Sequence, residues 1–135
     1  MNHQQVVQIT TQGRGASNIT DIVNQTLSTL QQSTLCHIFV THTSASLMIT
    51  GVEDENILLD IEDYLQTHVV DADERYRHNN EGDYDMSGHI RTMLMGEQKT
   101  IPMIDQKLAL GKFQGLFLYE HRGGENQRKL IITVS

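Results

Sequence analysis

The order of strand-like and helix-like segments is the feature that most constrains how this chain can fold. Strands are indicated where β-branched and apolar residues recur with a period near two, and helices where apolar residues recur at helical spacing. The order is a strand, a helix, two strands, two helices and a final run of three or four strands. This order predicts an α+β fold with a largely antiparallel sheet and about three helices.

Turn and capping residues set the expected limits of these segments. Gln12-Gly13-Arg14-Gly15 supplies glycines for a turn after the first strand. Asn18 can cap the first helix and Asp85 the third, whose end is marked by Gly96. The strands are expected within 5–10, 34–50 (with a break around 43–45) and 99–135, and the second helix within about 54–68.

Length and composition are typical of one small globular domain. The chain has 135 residues, a common size for a single domain, so we expect one domain over residues 1–135. No apolar run approaches the roughly 18 residues that span a bilayer, and the N-terminus lacks the pattern of a signal peptide. We therefore expect a soluble, cytoplasmic protein that does not insert into a membrane.

Charge and cysteine content exclude several function classes. The formal net charge of -7 and the scattered placement of the ten Lys and Arg residues argue against a nucleic acid partner. Cys36 is the only cysteine, so neither an intramolecular disulfide nor a thiolate zinc cluster can form, and its apolar neighbours predict a buried thiol. Histidine is abundant, with seven residues, and neutral imidazole is a common metal ligand.

A polar segment, residues 76–89, has the sequence YRHNNEGDYDMSGH. It contains two histidines and three carboxylates, and its only apolar aliphatic side chain is Met86. Such a segment cannot build a core. It is either a solvated loop or part of a site that holds a metal ion or moves a proton.

Two histidines are expected to face protein rather than bulk water. His42 continues the strand parity of Cys36 and Val40, so it ends a buried face if those side chains are buried. His89 lies at the edge of an apolar face of the third helix that is expected to point inward. A histidine in either place can be a hydrogen-bonded core residue or a ligand. The apolar helix face consists of Met86, Ile90, Met93 and Leu94.

Glu120, a carboxylate, can likewise be a buried structural residue or part of a site. It continues the parity of Leu116 and Leu118 at the end of a predicted strand, where a carboxylate is costly unless it is paired or bound to a cation. Arg122 is the nearest expected ion-pair partner. Together with the polar segment, these residues indicate a metal site, because three imidazoles with one open position form a common catalytic zinc shell. Their separation in sequence leaves their convergence open.

Five separated motifs carry a resemblance to a known family. In order and spacing they are similar to the YjbQ-like family, often described as secondary thiamine-phosphate synthases, and they cover nearly the whole chain. The resemblance implies a small α+β domain that assembles as a homotrimer, binds a divalent metal ion such as zinc, and has modest thiamine-phosphate synthase activity. The motifs are THTSASLMI (41–49), YRH (76–78), GDYDMSGHI (82–90), IPMIDQKLALGKFQGLFLYEHR (101–122) and RKLIITV (128–134).

The resemblance also assigns roles to individual residues. Three histidines match the family's histidine positions and are expected metal ligands, and two carboxylates match as candidate catalytic groups. Arg122 is the first of three cationic candidates for a phosphorylated substrate, followed by Lys112 and Arg91. The expected ligands are His42, His78 and His89, and the candidate catalytic residues are Asp85, Glu120 and Arg122.

Three departures from the family pattern bear on catalysis or on substrate shape more than on metal binding. Gly51 stands where an acidic residue is usual, so the chain is expected to bind metal normally and catalyse poorly, and Gly51→Glu to raise turnover. Met86-Ser87-Gly88-His89 replaces a usual Met-Pro-Ala-His, and Phe113 replaces a more frequent tryptophan.

Three functions are consistent with these residues. The first is a transferase that joins a pyrimidine diphosphate to a thiazole phosphate with loss of pyrophosphate, whose charge needs cationic or metal stabilisation. The second is a metal-dependent hydrolase of a small phosphorylated molecule. The third is a non-catalytic trimer with a degenerate site.

Overall fold

The computed structural model describes residues 1–135, which form three helices and eight strands. All strand pairs are antiparallel, which confirms the predicted α+β class. None of the helices is long and apolar enough to cross a membrane. The helices are α1 (Thr20–Leu27), α2 (Asn56–His68) and α3 (Asp85–Met95). The strands are β1 (Gln4–Gln12), β2 (Gly15–Asn18), β3 (Leu35–Val40), β4 (Ala45–Gly51), β5 (Gln98–Ile104), β6 (Lys107–Leu108), β7 (Gln114–Glu120) and β8 (Glu125–Val134).

The strands form two sheets rather than one. One sheet has the order β1-β8-β3-β5-β6, and the other has the order β2-β7-β4. Alternate side chains of β3, β4, β7 and β8 are buried in a shared core that α1 also enters, as the period of two predicts. Cys36 belongs to this core, and burial raises the pKa of its thiol to about 12, which keeps the thiol protonated.

Helix α3 is oriented differently from its apolar pattern. Met93 is 73% exposed and Leu94 is 63% exposed, so the prediction that they face inward is wrong. Met86 and Ile90 are half-buried. The fully buried positions of α3 are instead largely polar, namely Asp85, Ser87, Gly88, Arg91 and Thr92.

Two contacts explain this orientation of α3. The Arg91 guanidinium is completely buried and donates to both carboxylate oxygens of Glu62 on α2, at 2.8 and 3.0 Å. Gly88 packs so closely that a Cβ there would lie 3.3 Å from the Cβ of His121. A bidentate buried ion pair and a close backbone approach therefore outweigh the burial of two apolar side chains.

From Gly115 onward, strand β7 is buried on both faces. Leu116 and Leu118 belong to the core, and Tyr119 on the other face donates to Glu62 of α2. His121, just after β7, is fully buried. Its Nε2 lies 2.8 Å from Ser46 Oγ, and its ring stacks on Tyr119. Burial and the nearby Arg91 lower the pKa of His121 to about 3, so the imidazole is neutral.

Candidate metal centre

Four side chains converge where the polar segment enters α3. The potential ligand atoms of His78, Glu81, Asp85 and His89 all lie within 4.8 Å of one another. Asp85 and His89 are four residues apart on α3, so they project from the same face of the helix. His78 and Glu81 come from the segment that precedes α3. Asp85 begins this helix but makes no side-chain capping bond, contrary to the sequence prediction.

Asp85 is the centre of the group. Its side chain is only 5% exposed, and its Oδ2 lies 2.7 Å from His78 Nε2 and 3.1 Å from His89 Nε2. Glu81 Oε2 lies 3.3 Å from the same His78 nitrogen. Burial opposes ionisation of Asp85, but the hydrogen bond from His78 and the nearby charges outweigh it, so the pKa of Asp85 lies below its usual value.

The hydrogen bond of His89 Nδ1 fixes the direction in which Nε2 of the same ring points. His89 Nδ1 lies 3.1 Å from the carbonyl oxygen of Thr43, which can only accept a hydrogen bond, so Nδ1 carries the proton. In the neutral ring, Nε2 then presents a lone pair to the Asp85 carboxylate. Two acceptors at this distance repel each other unless the ring is protonated or a cation lies between them. A backbone carbonyl that orients an imidazole in this way is typical of metal sites.

Arg14 holds the surrounding loop in place. Its guanidinium pairs with Asp71 at 2.7 and 3.0 Å, and it lies 3.8 Å from the centre of the Tyr84 ring. Its Nε donates to the His121 carbonyl at 2.8 Å, and Ser87 of α3 also donates to Asp71. The Arg14 side chain is only 7% exposed, so these interactions are shielded from solvent. The sequence pattern indicated only a turn at residue 14.

The structure brings two of the three expected ligands together. His42 lies outside the group of four, because its Nε2 accepts the Lys129 backbone N–H at 2.9 Å. Burial and Arg128 lower the pKa of His42. Glu81, which no sequence pattern singled out, belongs to the group instead. The available signal was its position in the polar segment, three residues after His78.

Glu120 lies in an ion pair inside the protein. Arg128, and not the expected Arg122 side chain, donates to its two oxygens at 2.7 and 2.5 Å. Thr11 Oγ1 and the Arg122 backbone N–H donate the two remaining hydrogen bonds, at 2.5 and 3.0 Å. Four donors occupy the acceptor capacity of a carboxylate, so Glu120 offers no free oxygen to a metal ion or a substrate.

Of the three cationic candidates, Arg122 is the one beside the centre. Its Nε lies 3.4 Å from Asp85 Oδ1, and its side chain is 41% exposed at a cavity of about 380 Å³. Arg91 is committed to Glu62, as described above. Lys112 lies instead over the ring of Phe113, 5.3 Å from its centroid.

Gly51 lies at the far end of β4 from the centre. At about 3.3 Å per residue, β4 places it roughly 20 Å from Ala45, which follows the loop that contacts His89. A Cβ at position 51 would also lie 2.7 Å from a Glu53 carboxylate oxygen and 2.9 Å from Ile57 Cδ1. Within one chain, an acidic side chain at position 51 therefore could not reach the cluster.

The sequence of residues 5–135 matches the family described as UPF0047 protein YjbQ-like. The chain belongs to the YjbQ/UPF0047 family. A UPF0047 protein of Synechocystis sp. is 39% identical over 134 residues, covering 98% of this chain and 91% of that protein. YjbQ of Salmonella typhimurium is 34% identical over 136 residues, covering 99% of this chain and 98% of that protein.

Solved structures share the YjbQ-like fold. The conserved hypothetical protein TT1486 from Thermus thermophilus superposes with a TM-score of 0.88 at 25% identity, with 97% of this chain and 99% of that chain covered. A YjbQ/UPF0047 family protein from Clostridium acetobutylicum, described as uncharacterized, has a TM-score of 0.85 at 25% identity and the same coverage of both chains. The fold is therefore that of the YjbQ/UPF0047 family throughout the chain.

Proposed function

We propose that this protein binds a divalent metal ion through His78, Asp85 and His89, with Glu81 as a fourth candidate ligand. The observation that carries the proposal is the convergence of these four side chains, whose potential ligand atoms lie within 4.8 Å of one another, with Nε2 of His89 facing the Asp85 carboxylate at 3.1 Å. Two imidazoles and two carboxylates form a donor set that suits Zn²⁺ and related ions. The two negative charges of the group would compensate the charge of such an ion.

The proposed substrate is a small phosphorylated molecule. Arg122 supports this choice, since its guanidinium lies beside Asp85 and is partly exposed, and its planar fork matches the oxygens of a phosphate. Bound metal would polarise a phosphoryl oxygen and stabilise the charge of a leaving group. Asp85 would hold both the imidazoles and Arg122 in position, and Thr43 would fix the His89 ring.

The more specific proposal is a transferase of the thiamine-phosphate synthase type, as the family resemblance suggests. Such a reaction expels pyrophosphate, which Arg122 would bind. Hydrolysis by metal-bound water is the alternative, and the exposure of the His78 and His89 side chains, 40% and 31%, supports access of water.

Metal content is the first test of the proposal. The purified protein should contain about one divalent ion per chain by elemental analysis, lose it on mild chelation and regain it from Zn²⁺. His89→Ala should weaken Zn²⁺ binding by about 100-fold or more, which exceeds the roughly 10- to 100-fold effect typical of residues that only orient a ligand. His3→Ala is the matched control, because His3 is exposed and lies outside the group of four. Unchanged Zn²⁺ binding by His89→Ala would refute the proposed centre.

Substrate assays then separate the two reactions. Pyrophosphate released only when both the pyrimidine diphosphate and the thiazole phosphate are present indicates transfer. Inorganic phosphate released from either substrate alone indicates hydrolysis. Arg122→Met should raise the KM for the phosphorylated substrate while leaving the Zn²⁺ content unchanged.

A further inference from the structure

A second cavity adjoins the centre on the side of His89. It measures about 630 Å³ and lies between the end of β3, the loop at 41–44 and the outer surface of α3. Cavities of roughly 300–1,000 Å³ commonly bind small molecules. His89 is shared by this cavity and the proposed metal centre, so a ligand in the cavity would lie next to the ion.

His42 lines this cavity and carries one free hydrogen-bond donor. Its Nε2 accepts the Lys129 backbone N–H, and a nitrogen that accepts a hydrogen bond does not carry a proton. The neutral ring must therefore carry its proton on Nδ1. His42 lines the cavity, and no group of the protein accepts a hydrogen bond from Nδ1. Coordination of a metal ion through Nε2 would require the loss of the bond to Lys129.

The other cavity residues favour an uncharged ligand group. Phe39 and Met93 are 38% and 73% exposed and supply apolar surface. Thr92 also lines the cavity. It is only 7% exposed, and its buried Oγ1 has no hydrogen-bond partner. The lining includes Glu97 but no Lys or Arg, so an anionic group would be repelled here and would be better placed beside Arg122.

We propose that this cavity binds the uncharged part of the substrate, an aromatic or apolar group that carries a carbonyl-type acceptor. His42 positions that acceptor by donating from Nδ1 and does not ligate the metal. The inference rests on the proposed metal function and adds to it a binding place for the uncharged part of the substrate. His42 is thus a positioning residue of the site.

The role of His42 can be read directly by NMR of protein labelled with ¹⁵N-histidine and loaded with ¹¹³Cd²⁺. The nitrogens of His78 and His89 should show coupling to cadmium, whereas His42 should keep the Nδ1–H tautomer and show none. Cadmium coupling at His42, or an Nε2–H tautomer, would overturn the inference while leaving the metal function intact. Absence of coupling at every histidine would refute the metal function, and the tautomer and fragment binding would still decide the role of His42.

A matched pair of fragments tests the ligand class. Acetophenone has an aromatic ring and a carbonyl acceptor, and ethylbenzene has the ring alone. Acetophenone should shift the NMR signals of His42 and Met93 and bind roughly 3- to 10-fold more tightly, the effect of one hydrogen bond. Equal binding of the two fragments, or the absence of shifts in the cavity, would overturn the proposal.

Two variants attribute the preference to His42. His42→Ala should abolish the preference for acetophenone, whereas His42→Asn should retain part of it, because its amide N–H can take the place of Nδ1–H. Thermal melting of both variants controls for folding, and Zn²⁺ affinity should stay within about threefold of the parent, well below the loss expected for an ion ligand. A loss of Zn²⁺ affinity equal to that of His89→Ala would assign His42 to the metal shell.

Discussion

Glu120→Gln tests whether the buried carboxylate stabilises the fold or takes part in the site. The substitution leaves the Arg128 guanidinium charged, 5% exposed and without its carboxylate partner. Removing one partner of a buried ion pair costs about 3–5 kcal/mol. Unfolding a chain of 135 residues carries an entropy of about 0.28 kcal/mol/K, at about 2.1 cal/mol/K per residue, so Tm should fall by roughly 10–18 °C.

The assay is differential scanning calorimetry of the parent and the variant, with Zn²⁺ affinity measured below both transitions. Arg75→Met is the matched control, since Arg75 forms a comparable pair with Asp73 at 2.7 Å but is 88% exposed. The control should leave Tm unchanged within error, because exposed ion pairs contribute little. A Glu120→Gln protein with the parent's Tm but impaired Zn²⁺ binding would refute this assignment and make Glu120 a site residue.

Gly51→Glu should change stability by less than about 1 kcal/mol in denaturant titrations, because the atoms that it would meet are the flexible ends of the Glu53 and Ile57 side chains, and should leave turnover unchanged; a faster, well-folded variant would restore the original expectation for position 51. The pKa of His121 is about 3 in the folded protein, below its usual 6.5, so the unfolded chain takes up a proton more readily. The free energy of unfolding should therefore fall as the pH drops from 6.5 towards about 3, by up to about 1.4 kcal/mol per pH unit. His121→Gln should flatten this pH dependence. We propose a cyclic trimer whose contacts include the exposed Ile104 at the end of β5. Light scattering should give three times the chain mass and a smaller species for Ile104→Glu, and a monomeric parent would refute the trimer.

The sequence predicted the fold class well because strand periodicity reports burial directly. The two strands within 34–50, the final run of strands and the glycine that ends α3 were all indicated by local patterns. The orientation of α3 was not, since its apolar spacing is indistinguishable from that of a core helix. Arg91 decides that orientation through Glu62, a residue on another helix. The predicted single sheet is two sheets, because pairing partners are set by contacts distant in sequence.

The candidate centre, like the fold, could be predicted from the sequence only in part. His78, Asp85 and His89 lie within one short segment, so a local excess of polar residues identified all three. His42 and Glu120 were placed correctly near the ends of strands, but parity does not reveal which donor or acceptor a side chain meets. Their partners, Lys129 and Arg128, both lie on β8, which is distant from His42 in sequence.

The anchoring by Arg14 limits how far the proposed centre can be treated as a portable module. A peptide spanning 69–95 contains every residue of the group of four, yet it lacks the guanidinium that holds Asp71 and stacks on Tyr84. It also lacks Thr43, whose carbonyl orients the His89 ring. Transplanting this segment into another scaffold would therefore transfer the ligands without their geometry, unless an arginine and a carbonyl acceptor were supplied from two other loops.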